Sequence, residues 1–600
     1  MESATMSPAS AGVGSNTLAD LLPKAVAKYG SKRAVMFKDD SGRWVTRSYD
    51  EVGDIVKKLS LGLMALGIEK GDKVSILGNT RPEWTYFDFA ALTAGATVVP
   101  IYQTNSAEEC EYVLENSDAS AVVVEDEEQL EKIREVRNRC PKLQHVIRMT
   151  GKGGGAISVD ELIERGAELA DSDWQERYES VTPDDICTFI YTSGTTGPPK
   201  GCVISHGNYR AMLDMVVEKN VLGDDEELTY LFLPLAHSFA LLIQFGNFEL
   251  GSSIAYWERD PLRIVPNLSE VKPTYFPSVP RIFEKIYTAA TAAIEKEGGL
   301  KKKIFDWSIG VGKRYREAER TGGAGALLSA QHKIAQRLVL EKIRNLFGGN
   351  LRVAVTGAAP INPEILRFFD AAGVLVLEGW GMTETSTAAT IATPDDFKFG
   401  TIGKPLPGVD IKIADDGEIL VKGPNIFQGY YKNEEATSET LIDGWLHTGD
   451  IGEVDSDGYL KITGRKKDII ITAGGKNITP ANLEAEIKQH PLISQCVVVG
   501  DRRPYLVCVV TLDPEEAQKL AAEKGLDAAT LHENDEVHAS IQAHLDQINQ
   551  KFARVEQVKK FEILPQDLSQ EGGELTPTMK IKRNVVADKY AGEIESLYSG

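Results

Sequence analysis

Residues 191–201 read Tyr-Thr-Ser-Gly-Thr-Thr-Gly-Pro-Pro-Lys-Gly, which gathers hydroxyl side chains, glycines and one lysine in a short segment. The apolar, β-prone stretches 186–190 and 202–206 flank it and predict two strands. Glycines let a backbone bend sharply so that its N–H groups point outward, and Lys200 adds positive charge. The segment therefore predicts a loop that wraps a polyphosphate.

This loop allows two other interpretations. A surface turn is rich in glycine and hydroxyl residues, but it does not account for two prolines and a lysine between apolar strands. A Walker-type loop needs Gly-Lys-Ser/Thr at the start of a helix, whereas Lys200 stands between Pro199 and Gly201. The Walker loop is excluded, and the surface turn stays as the minor alternative.

Three further stretches carry side chains suited to a nucleotide. Small residues follow an apolar strand at 355–360, as at the crevices of open α/β sheets. In 378–384 an aromatic residue stands between glycines and could stack on a base, while Thr383 could donate to a phosphate and Glu384 could bind Mg²⁺. The alternative there is a helix start capped by Thr383. Asp450 could accept both hydroxyls of a ribose or be an ordinary turn residue.

The C-terminal part of the chain offers two weaker signals. Residues 464–468, Gly-Arg-Lys-Lys-Asp, lie where the predicted secondary structure changes from all-β to α/β. A hinge or a plain linker would fall at such a point. The basic cluster within 574–583 could contribute to the phosphate site only if this tail folds back over the phosphate loop.

Composition excludes several classes of protein. The 600 residues carry 88 acidic and 66 basic side chains, a net charge of −22, which argues against nucleic acid as the main partner. No apolar run reaches the length of a membrane span, and residues 1–16 predict a disordered tail rather than a signal peptide. The scattered cysteines predict small buried side chains in a reducing compartment. We therefore expect a cytoplasmic protein.

The fold predicted from these patterns is α/β. Apolar strands spaced by helices over 17–130 and again over about 184–380 indicate parallel sheets. Residues 291–345 predict a basic helical insertion, and 400–463 predict short strands in a small barrel or a distorted sheet. A compact α/β unit follows the segment 464–468.

The basic insertion allows two interpretations. Three lysines at 301–303 precede apolar and aromatic residues that include Trp307, and a second basic cluster follows at 313–316. Such a helix could lie on an anionic membrane surface, at the inner face of the membrane. A solvated helical insertion explains the same pattern and is slightly favoured.

Taken together, in this order and spacing, these stretches resemble the adenylate-forming enzymes, which include acyl-CoA synthetases, luciferases and adenylation domains of peptide synthetases. The resemblance covers about 17–595. Within that superfamily, the segments 233–237, 277–285 and 575–583 look most like long-chain fatty acyl-CoA synthetases of the bacterial type.

The resemblance implies a domain plan and a reaction. It implies two doubly wound α/β subdomains and a small β-barrel-like subdomain in an AMP- and acyl-binding domain, 17–463, then a hinge, 464–468, and a small mobile α/β lid, 469–600. It implies that a fatty acid and ATP form an acyl-adenylate with Mg²⁺, and that coenzyme A then takes the acyl group. AMP and pyrophosphate are released.

The resemblance also implies roles for particular residues. The catalytic residues that it implies are Lys580, Glu384, His237 and Thr195, and the metal ligands that it implies are Thr192 and Glu384. Lys467 is the implied hinge, and the approach of coenzyme A is lined by Gly474, Gly475 and Lys476. The implied nucleotide-binding residues are Thr192, Ser193, Gly194, Thr195, Thr196, Lys200, Gly357, Ala358, Ala359, Glu378, Gly379, Trp380, Gly381, Met382, Thr383, Asp450, Ile462 and Arg465.

Two departures and two alternative functions accompany the resemblance. Trp380 stands where tyrosine is commoner, and the last lysine motif lacks the Gly-Lys pair of many short-chain members. The protein could instead pass its acyl group to a carrier protein, or it could be a non-catalytic acyl- or nucleotide-binding relative. The intact set of site residues argues against the second alternative. His237 could also be an ordinary core histidine.

Overall fold

The computed structural model describes residues 12–192, 198–473, 476–576 and 579–599, apart from the side chains of 292, 293, 295 and 296. The N-terminal part contains two large sheets, and the first runs in the order β19-β9-β8-β4-β3-β5-β6-β7. Its strands are β3 (Lys73–Leu77), β4 (Thr97–Ile101), β5 (Ala121–Val124), β6 (His145–Arg148), β7 (Ile157–Ser158), β8 (Ile186–Thr192), β9 (Lys200–Ser205) and β19 (Gly429–Tyr430). From β4 to β7 and between β4 and β8 the pairing is parallel.

The second sheet runs in the order β16-β15-β14-β13-β12-β10-β11-β1-β2, with a parallel centre from β14 to β1. Its strands are β1 (Arg33–Lys38), β2 (Trp44–Ser48), β10 (Leu228–Leu231), β11 (Ser253–Tyr256), β12 (Tyr275–Ser278), β13 (Val353–Thr356), β14 (Val376–Trp380), β15 (Thr390–Ile391) and β16 (Lys404–Pro405). The central strands are buried on both faces, as their continuous apolar sequences require.

The helices of the N-terminal part cover these sheets. They are α1 (Leu21–Tyr29), α2 (Tyr49–Ala65), α3 (Pro82–Thr93), α4 (Ala107–Ser117), α5 (Glu127–Val136), α6 (Val159–Gly166), α7 (Asp171–Glu179), α8 (His206–Glu218), α9 (Ser238–Leu250), α10 (Ile264–Val271), α11 (Pro280–Glu297), α12 (Gly299–Thr321), α13 (Ala326–Ala335), α14 (Glu341–Asn345), α15 (Pro363–Ala371) and α16 (Glu434–Thr440). A π-helical turn, Gln336–Leu340, joins α13 to α14.

Helix α9 is apolar on almost every side and is buried at the centre of the N-terminal domain. Phe245 and Phe248 pack edge-to-face on Phe89, and Tyr209 and Tyr49 contact them from α8 and α2. A helix held this tightly gives a fixed position to the residue that precedes it, which is His237.

The assignment of strands to sheets differs from the sequence-based expectation. The hairpin β1–β2 pairs with β11 of the second sheet, with Val35 opposite Ile254, although it lies within the first predicted unit. Conversely, β8 and β9 belong to the first sheet, although they open the second predicted unit. These pairings join segments far apart in the chain, which local sequence patterns do not report.

Residues 12–16 correct the prediction of a disordered tail over 1–16. The backbone of Val13 donates to the carbonyl of Glu249, and the Ser15 hydroxyl donates to the Glu249 carboxylate at 3.1 Å. Arg210 pairs with the same carboxylate at 2.6 Å, and Ser15 is buried. A buried charged group at the end of α9 thus orders this segment.

The region predicted to be β-rich forms an antiparallel sheet in the order β17-β18-β21-β20, with β22 also on β21. Its strands are β17 (Asp410–Ile413), β18 (Glu418–Lys422), β20 (Leu441–Ile442), β21 (Trp445–Val454) and β22 (Leu460–Arg465). Strand β21 shifts register against both β18 and β22, so over the described residues this region matches the distorted sheet.

The C-terminal part has its own apolar core. Its strands are β23 (Ile470–Ile471), β24 (Asn477–Ile478), β25 (Ile493–Val499), β26 (Leu506–Leu512) and β27 (Val558–Ile563), and its helices are α17 (Pro480–Ile487), α18 (Pro514–Lys524), α19 (Asp535–Asn549), α20 (Arg583–Lys589) and α21 (Ala591–Tyr598). Strands β25, β26 and β27 form one mixed sheet. The separate core confirms a second, smaller α/β domain.

The cysteines and the helices bear on two further expectations. All six cysteines, Cys110, Cys140, Cys187, Cys202, Cys496 and Cys508, are buried and unpaired, as predicted. Within the described ranges, every helix is too short or too polar to cross a bilayer.

Candidate functional site

The ends of the predicted phosphate loop are fixed by strand pairing. Thr192 ends β8 and faces Lys200 at the start of β9, and the Thr192 hydroxyl donates to the Lys200 carbonyl at 3.4 Å. Five predicted loop residues, Ser193, Gly194, Thr195, Thr196 and Gly197, lie outside the described residues, as do Gly474 and Gly475 of the predicted coenzyme A approach. The pairing of β8 with β9 therefore brings the two ends of the loop together.

A crevice lies where two parallel strands of the second sheet end. Thr356 of β13 is in register with Glu378 of β14, so the segments that follow emerge side by side. A Cβ on Gly357 would lie 3.2 Å from the Gly379 carbonyl oxygen, and one on Gly381 would lie 2.2 Å from that of Thr387. Close backbone approach therefore excludes a Cβ at Gly381 and would crowd one at Gly357. Small residues at the ends of neighbouring strands suit the approach of a planar ligand.

Two neighbours of these glycines complete the wall of the crevice. Ala358 is in the left-handed region with φ of 69°, an unusual conformation for a residue with a Cβ. Ala359 follows it and is exposed. The strained backbone and the exposed alanines are consistent with a surface shaped for a ligand rather than for the core.

Glu378 is half-buried beside this crevice, and burial raises the pKa of its carboxyl group to about 8, although a hydrogen bond from the Gly400 backbone acts in the opposite direction. The group is therefore mainly a neutral acid at pH 7 and can donate a hydrogen bond. Above pH 8 it becomes a carboxylate, which can only accept.

We expect the dissociation constant for AMP to rise by about tenfold between pH 7 and pH 9, because the protonated fraction of Glu378 falls by that factor. Calorimetric titration of AMP at a series of pH values measures this change. The control is Glu378→Gln, which stays neutral and should give an almost flat profile. An equally steep profile in Glu378→Gln would assign the titration to another group.

Trp380, Asp450 and Arg465 form a polar group next to the crevice. The Trp380 indole N–H donates to Asp450 Oδ2 at 2.9 Å, and Arg465 Nε lies 3.4 Å from Asp450 Oδ1. Asp450 and Arg465 are opposite each other in the β21–β22 hairpin, and Ile462 lies on the same hairpin. Burial raises the pKa of Asp450, while Arg465, Trp380 and Lys580 lower it. The departure from tyrosine at position 380 thus supplies an N–H that orients a carboxylate.

Replacing Trp380 with phenylalanine should weaken AMP binding by about tenfold, because a hydrogen bond to a charged group contributes about 1.5–3 kcal/mol and solvent recovers part of it. The ring remains, so stacking is conserved. Equilibrium titration with AMP gives the measurement. Trp257→Phe is the matched control, since that indole donates to the Thr80 carbonyl in another part of the domain. Unchanged affinity in Trp380→Phe would contradict the orienting role.

Glu384 is an almost buried carboxylate, only 7% exposed, in the short 3₁₀ helix Thr383–Thr385. The helix begins at Thr383 itself, so Thr383 lies inside the turn and is not the capping residue that the alternative required. The Tyr430 hydroxyl donates to Glu384 Oε1 at 2.6 Å, and Lys200 Nζ lies 5.1 Å from the centre of the Tyr430 ring. The backbone N–H of Met382, which precedes the helix, donates to the Thr385 hydroxyl at 2.9 Å and so fixes the start of the helix.

Tyr430 is a site residue that the sequence analysis missed. It lies in the two-residue strand β19, which pairs with Cys202 of β9 and so reaches the base of the phosphate loop. A tyrosine after a glycine in a β-rich region resembles a core residue, and its only sequence signal is the Gly-Tyr-Tyr run at 429–431. Its position depends on a contact across 46 residues to Glu384.

The donors around Glu384 suit a magnesium ion. Among the residues that the structure describes, no lysine or arginine forms an ion pair with this nearly buried carboxylate, so its charge is left for another cation. Carboxylate and hydroxyl oxygens are the ligands that Mg²⁺ prefers, and Thr192 supplies a hydroxyl at the adjoining end of β8.

Lys580 reaches this site from the C-terminal domain. The residue is exposed overall, yet desolvation by the surrounding protein lowers the pKa of its amine. The charge of Arg465 lowers that pKa further, whereas Asp450 and Glu384 raise it. These are mutual electrostatic effects between groups of both domains, so the structure brings together one lysine and two carboxylates that are far apart in sequence.

His237 lies near the same lysine. It caps the N-terminus of α9, where its Nδ1 accepts a hydrogen bond from the Phe239 backbone at 3.2 Å. Burial, together with the charge of Lys580, lowers the pKa of His237 to about 4. Its imidazole is therefore neutral at pH 7, with the remaining proton on Nε2. His237 thus caps α9 and lies within electrostatic range of Lys580.

Several polar contacts join the two domains among the described residues. Arg281 Nη2 at the start of α11 lies 2.8 Å from Asp513 Oδ2, which caps α18, and Lys285 lies 3.7 Å from Glu515. Asn362 donates to Glu486 at 2.8 Å. Lys467 and Lys476, the predicted hinge and coenzyme A residues, are exposed. Polar contacts of this kind can hold one orientation of the domains without locking it.

Replacing Arg281 with alanine should slow pyrophosphate release by about fivefold, if that step needs the domain orientation in which Arg281 pairs with Asp513. A partly exposed ion pair of this kind contributes about 1 kcal/mol. Pyrophosphate release, measured separately from thioester formation, provides the readout. Arg367→Ala is the matched control, since Arg367 pairs with Glu364 inside the N-terminal domain. A similar loss in both variants, or equal loss in both steps, would contradict the interdomain role.

A two-domain protein of the adenylate-forming class accounts for this arrangement: small residues end two parallel strands, Glu384 is nearly buried, and a second domain supplies a lysine. Comparison with protein families agrees: residues 22–431 match the family described as AMP-binding enzyme, and residues 467–600 match the AMP-binding enzyme C-terminal domain. The chain belongs to the AMP-binding enzyme family, which confirms the resemblance seen in its sequence.

Curated relatives cover almost the whole chain. It is 41% identical over 564 residues to "Long-chain-fatty-acid--CoA ligase FadD15" of Mycobacterium bovis and of Mycobacterium tuberculosis, covering 93% of this chain and of each relative. It is 35% identical over 620 residues to "Long-chain-fatty-acid--CoA ligase ACSBG2" of Xenopus laevis, covering 97% of this chain and 84% of that protein.

Solved structures agree in fold. The adenylation domain of a carboxylate reductase from Mycobacterium chelonae has a TM-score of 0.77 at 23% identity, covering 98% of this chain and 92% of that chain. The anthranilate CoA ligase AuaEII in complex with anthranoyl-AMP has a TM-score of 0.71 at 23% identity, covering 98% and 99%. At this identity the likeness supports the architecture, with its large N-terminal and separate C-terminal domain.

Proposed function

We propose that this chain is an AMP-forming long-chain fatty acid:CoA ligase. The observation that carries the proposal is the electrostatic proximity of Lys580, from the C-terminal domain, to Glu384, Asp450 and Arg465. The substrate class is supported by the relatives, which are named long-chain-fatty-acid--CoA ligases. ATP and coenzyme A are the co-substrates.

In the first step, a carboxylate oxygen of the fatty acid attacks the α-phosphorus of ATP. The bond from that phosphorus to the bridging oxygen breaks, and pyrophosphate leaves with the electron pair. An anion thus attacks a polyanion, so the reaction needs positive charge around both. Lys580 would supply it at the carboxylate and α-phosphate, and Lys200 would supply it at the leaving pyrophosphate, where residues 192–196 would donate hydrogen bonds.

Magnesium, when bound by Glu384 and Thr192, would neutralise phosphate charge. The carboxylate of Glu384 is held in place for this role by the Tyr430 hydroxyl. Thr383 would donate to the α-phosphate.

The base and ribose of the nucleotide are assigned to the crevice and the polar group beside it. The residues proposed to enclose the base are Gly357, Ala358, Ala359, Glu378, Gly379, Trp380, Gly381 and Met382. Asp450 would accept the ribose hydroxyls, with Arg465 and Ile462 from the same hairpin.

In the second step, the sulfur of coenzyme A attacks the acyl carbon, and the bond from that carbon to the AMP oxygen breaks. The thiol proton passes to solvent. For this step we propose that the C-terminal domain turns about Lys467, so that residues 474–476 line the approach of the thiol. The neutral imidazole of His237 would lie near the acyl carbon.

One assay tests the proposal. Purified protein is incubated with ATP, Mg²⁺ and a series of fatty acids, with and without coenzyme A, and AMP and acyl-CoA are quantified. We expect acyl-CoA with equimolar AMP from long-chain acids. Adenylate formation without acyl-CoA would favour transfer to a carrier protein, and no nucleotide turnover would favour a binding protein; either result overturns the proposal.

Peripheral contact with a membrane through the basic helix at 301–316 stays a prediction. In the structure, several cations of that helix are engaged by neighbouring carboxylates. Lys301 pairs with Glu297 at 2.9 Å, and Lys313 pairs with Glu364 at 2.9 Å. These pairs reduce the positive charge that this helix can offer to an anionic surface.

A further inference from the structure

The loop that joins β14 to β15, residues 381–389, has an unusual backbone just after Glu384. Ser386 has φ of 49° and Thr387 has φ of 118°. Among the described residues, no other two neighbouring non-glycine residues both have positive φ. This conformation is costly for a residue with a Cβ, most of all a β-branched one, and it persists only where surrounding contacts over-determine it. We call residues 381–389 the strained loop.

The side-chain amide of Asn425 supplies two of these contacts, and it is fully buried. Asn425 Nδ2 donates to the carbonyl of Thr385 at 3.1 Å and to that of Ala388 at 2.8 Å, on either side of the two strained residues. The backbone N–H of Phe427 donates to the Glu384 carbonyl at 2.9 Å. Three carbonyl oxygens of the strained loop are thus held from one neighbouring segment.

Helix α8 fixes Asn425 in turn. Asn208, in the first turn of α8, donates from Nδ2 to the carbonyls of Pro424 and Ile426 at 2.8 Å each. The backbone N–H of Asn208 donates to the hydroxyl of Ser205, which ends β9 and caps α8. Since β9 follows the predicted phosphate loop, a continuous set of hydrogen bonds runs from that strand to the strained loop.

The Thr387 hydroxyl makes the contact on the other side of the strained loop. It donates to the carbonyl of Ser238 at 2.9 Å, and Ser238 is buried. Ser238 is the first residue of α9, directly after the capping residue His237. The loop that carries Glu384 is therefore bonded to the helix start that places His237.

We propose that Thr387 and Asn425 are positioning residues that set the distance between the nucleotide side and the acyl side of the site. This rests on the proposed ligase function, in which Glu384 binds the metal and His237 lies near the acyl carbon. The first step joins two separate molecules, so its rate depends strongly on the geometry in which they are held. In the second step the acyl group and AMP already share a covalent bond, which sets their spacing without the loop.

Replacing Thr387 with valine removes the hydroxyl and keeps the β-branched shape. We expect adenylate formation, measured by pyrophosphate exchange at saturating substrates, to fall by about tenfold, since a small misplacement of reacting groups costs this much or more. Acyl-CoA formation from supplied acyl-AMP should stay within about twofold of wild type, because that substrate carries its own alignment. Thr387→Ser keeps the hydroxyl and should restore most of the lost rate. The stoichiometry of AMP binding, from calorimetry, counts the folded sites in each variant.

Asn425→Ala should give the same split between the two steps, because it loosens the strained loop from the opposite side. Thr97→Val is the matched control: the buried Thr97 hydroxyl also donates to a backbone carbonyl of another strand, that of Ile186 at 2.8 Å, where β4 and β8 begin. It should leave both steps close to wild type. Equal loss of both steps in Thr387→Val, full rates in both, or no recovery in Thr387→Ser would overturn the inference.

Hydrogen exchange followed by mass spectrometry tests the link without catalysis. In Thr387→Val, peptides covering 381–391 and 236–245 should both exchange faster than in wild type, and in Thr97→Val neither should change. Faster exchange confined to 381–391 would contradict the link to α9. If the wild-type protein turned over no nucleotide, the proposed function would fail, and the exchange result would still decide whether the strained loop positions the start of α9.

Discussion

Replacing Lys580 with alanine is expected to reduce acyl-adenylate formation by roughly 10²–10³-fold, the usual cost of removing one preorganised group that stabilises a charged transition state. Formation of the thioester from supplied acyl-AMP should stay within a few-fold of wild type, because on the proposed mechanism the lysine acts only on the first step. The two steps are measured separately, by pyrophosphate exchange into ATP and by acyl-CoA formation from synthetic acyl-AMP.

Lys582→Ala is the matched control for this experiment, since it removes a positive charge two residues further along the same tail. It should leave both steps close to wild type. Equal loss of both steps in Lys580→Ala would contradict the separation of the two reactions between two domain orientations. Parallel loss in the control would point to damage to the tail instead.

Replacing Glu384 with glutamine should reduce adenylate formation by a similar factor, roughly 10²–10³-fold, because a neutral amide cannot replace a carboxylate that binds a divalent cation. The Mg²⁺ concentration at half-maximal rate should rise in the same variant. Tyr430→Phe should show a smaller shift in the same direction, about tenfold, since only the hydrogen bond that orients the carboxylate is removed.

A binding measurement separates the metal site from general loss of activity. Mn²⁺ binding in the presence of a non-hydrolysable ATP analogue, followed by electron paramagnetic resonance, should weaken in the order wild type, Tyr430→Phe, Glu384→Gln. Thermal unfolding of each variant checks that the fold is kept. If the metal dependence of both variants matches that of wild type, Glu384 is not the ligand.

Much of the fold was predictable because its signals are local. Residues 17–130, where the sequence predicts apolar strands spaced by helices, contain the buried strands β3 and β5. The loop at 191–201 follows from glycines and hydroxyls between two strands, and its ends meet as expected. Alternation of such strands with helices was enough to indicate parallel sheets.

The remaining features depend on contacts between distant segments. The hairpin β1–β2 joins β11 across about two hundred residues, and nothing in its own sequence indicates that partner. The Trp380–Asp450 hydrogen bond spans 70 residues, and the Arg281–Asp513 contact spans 232. Tyr430 was missed for the same reason, since only tertiary packing sets its hydroxyl against Glu384.

Because all six native cysteines are buried, we expect them to react only slowly with thiol reagents. The reactive form of cysteine is the thiolate, and burial raises the pKa of Cys110 to about 12 and that of Cys202 well above its usual value. A pair of engineered cysteines at the exposed positions Leu262 and Leu526, one in each domain, would therefore take maleimide dyes selectively. Energy transfer between the dyes would then follow the angle between the domains during turnover, without prior removal of any native thiol.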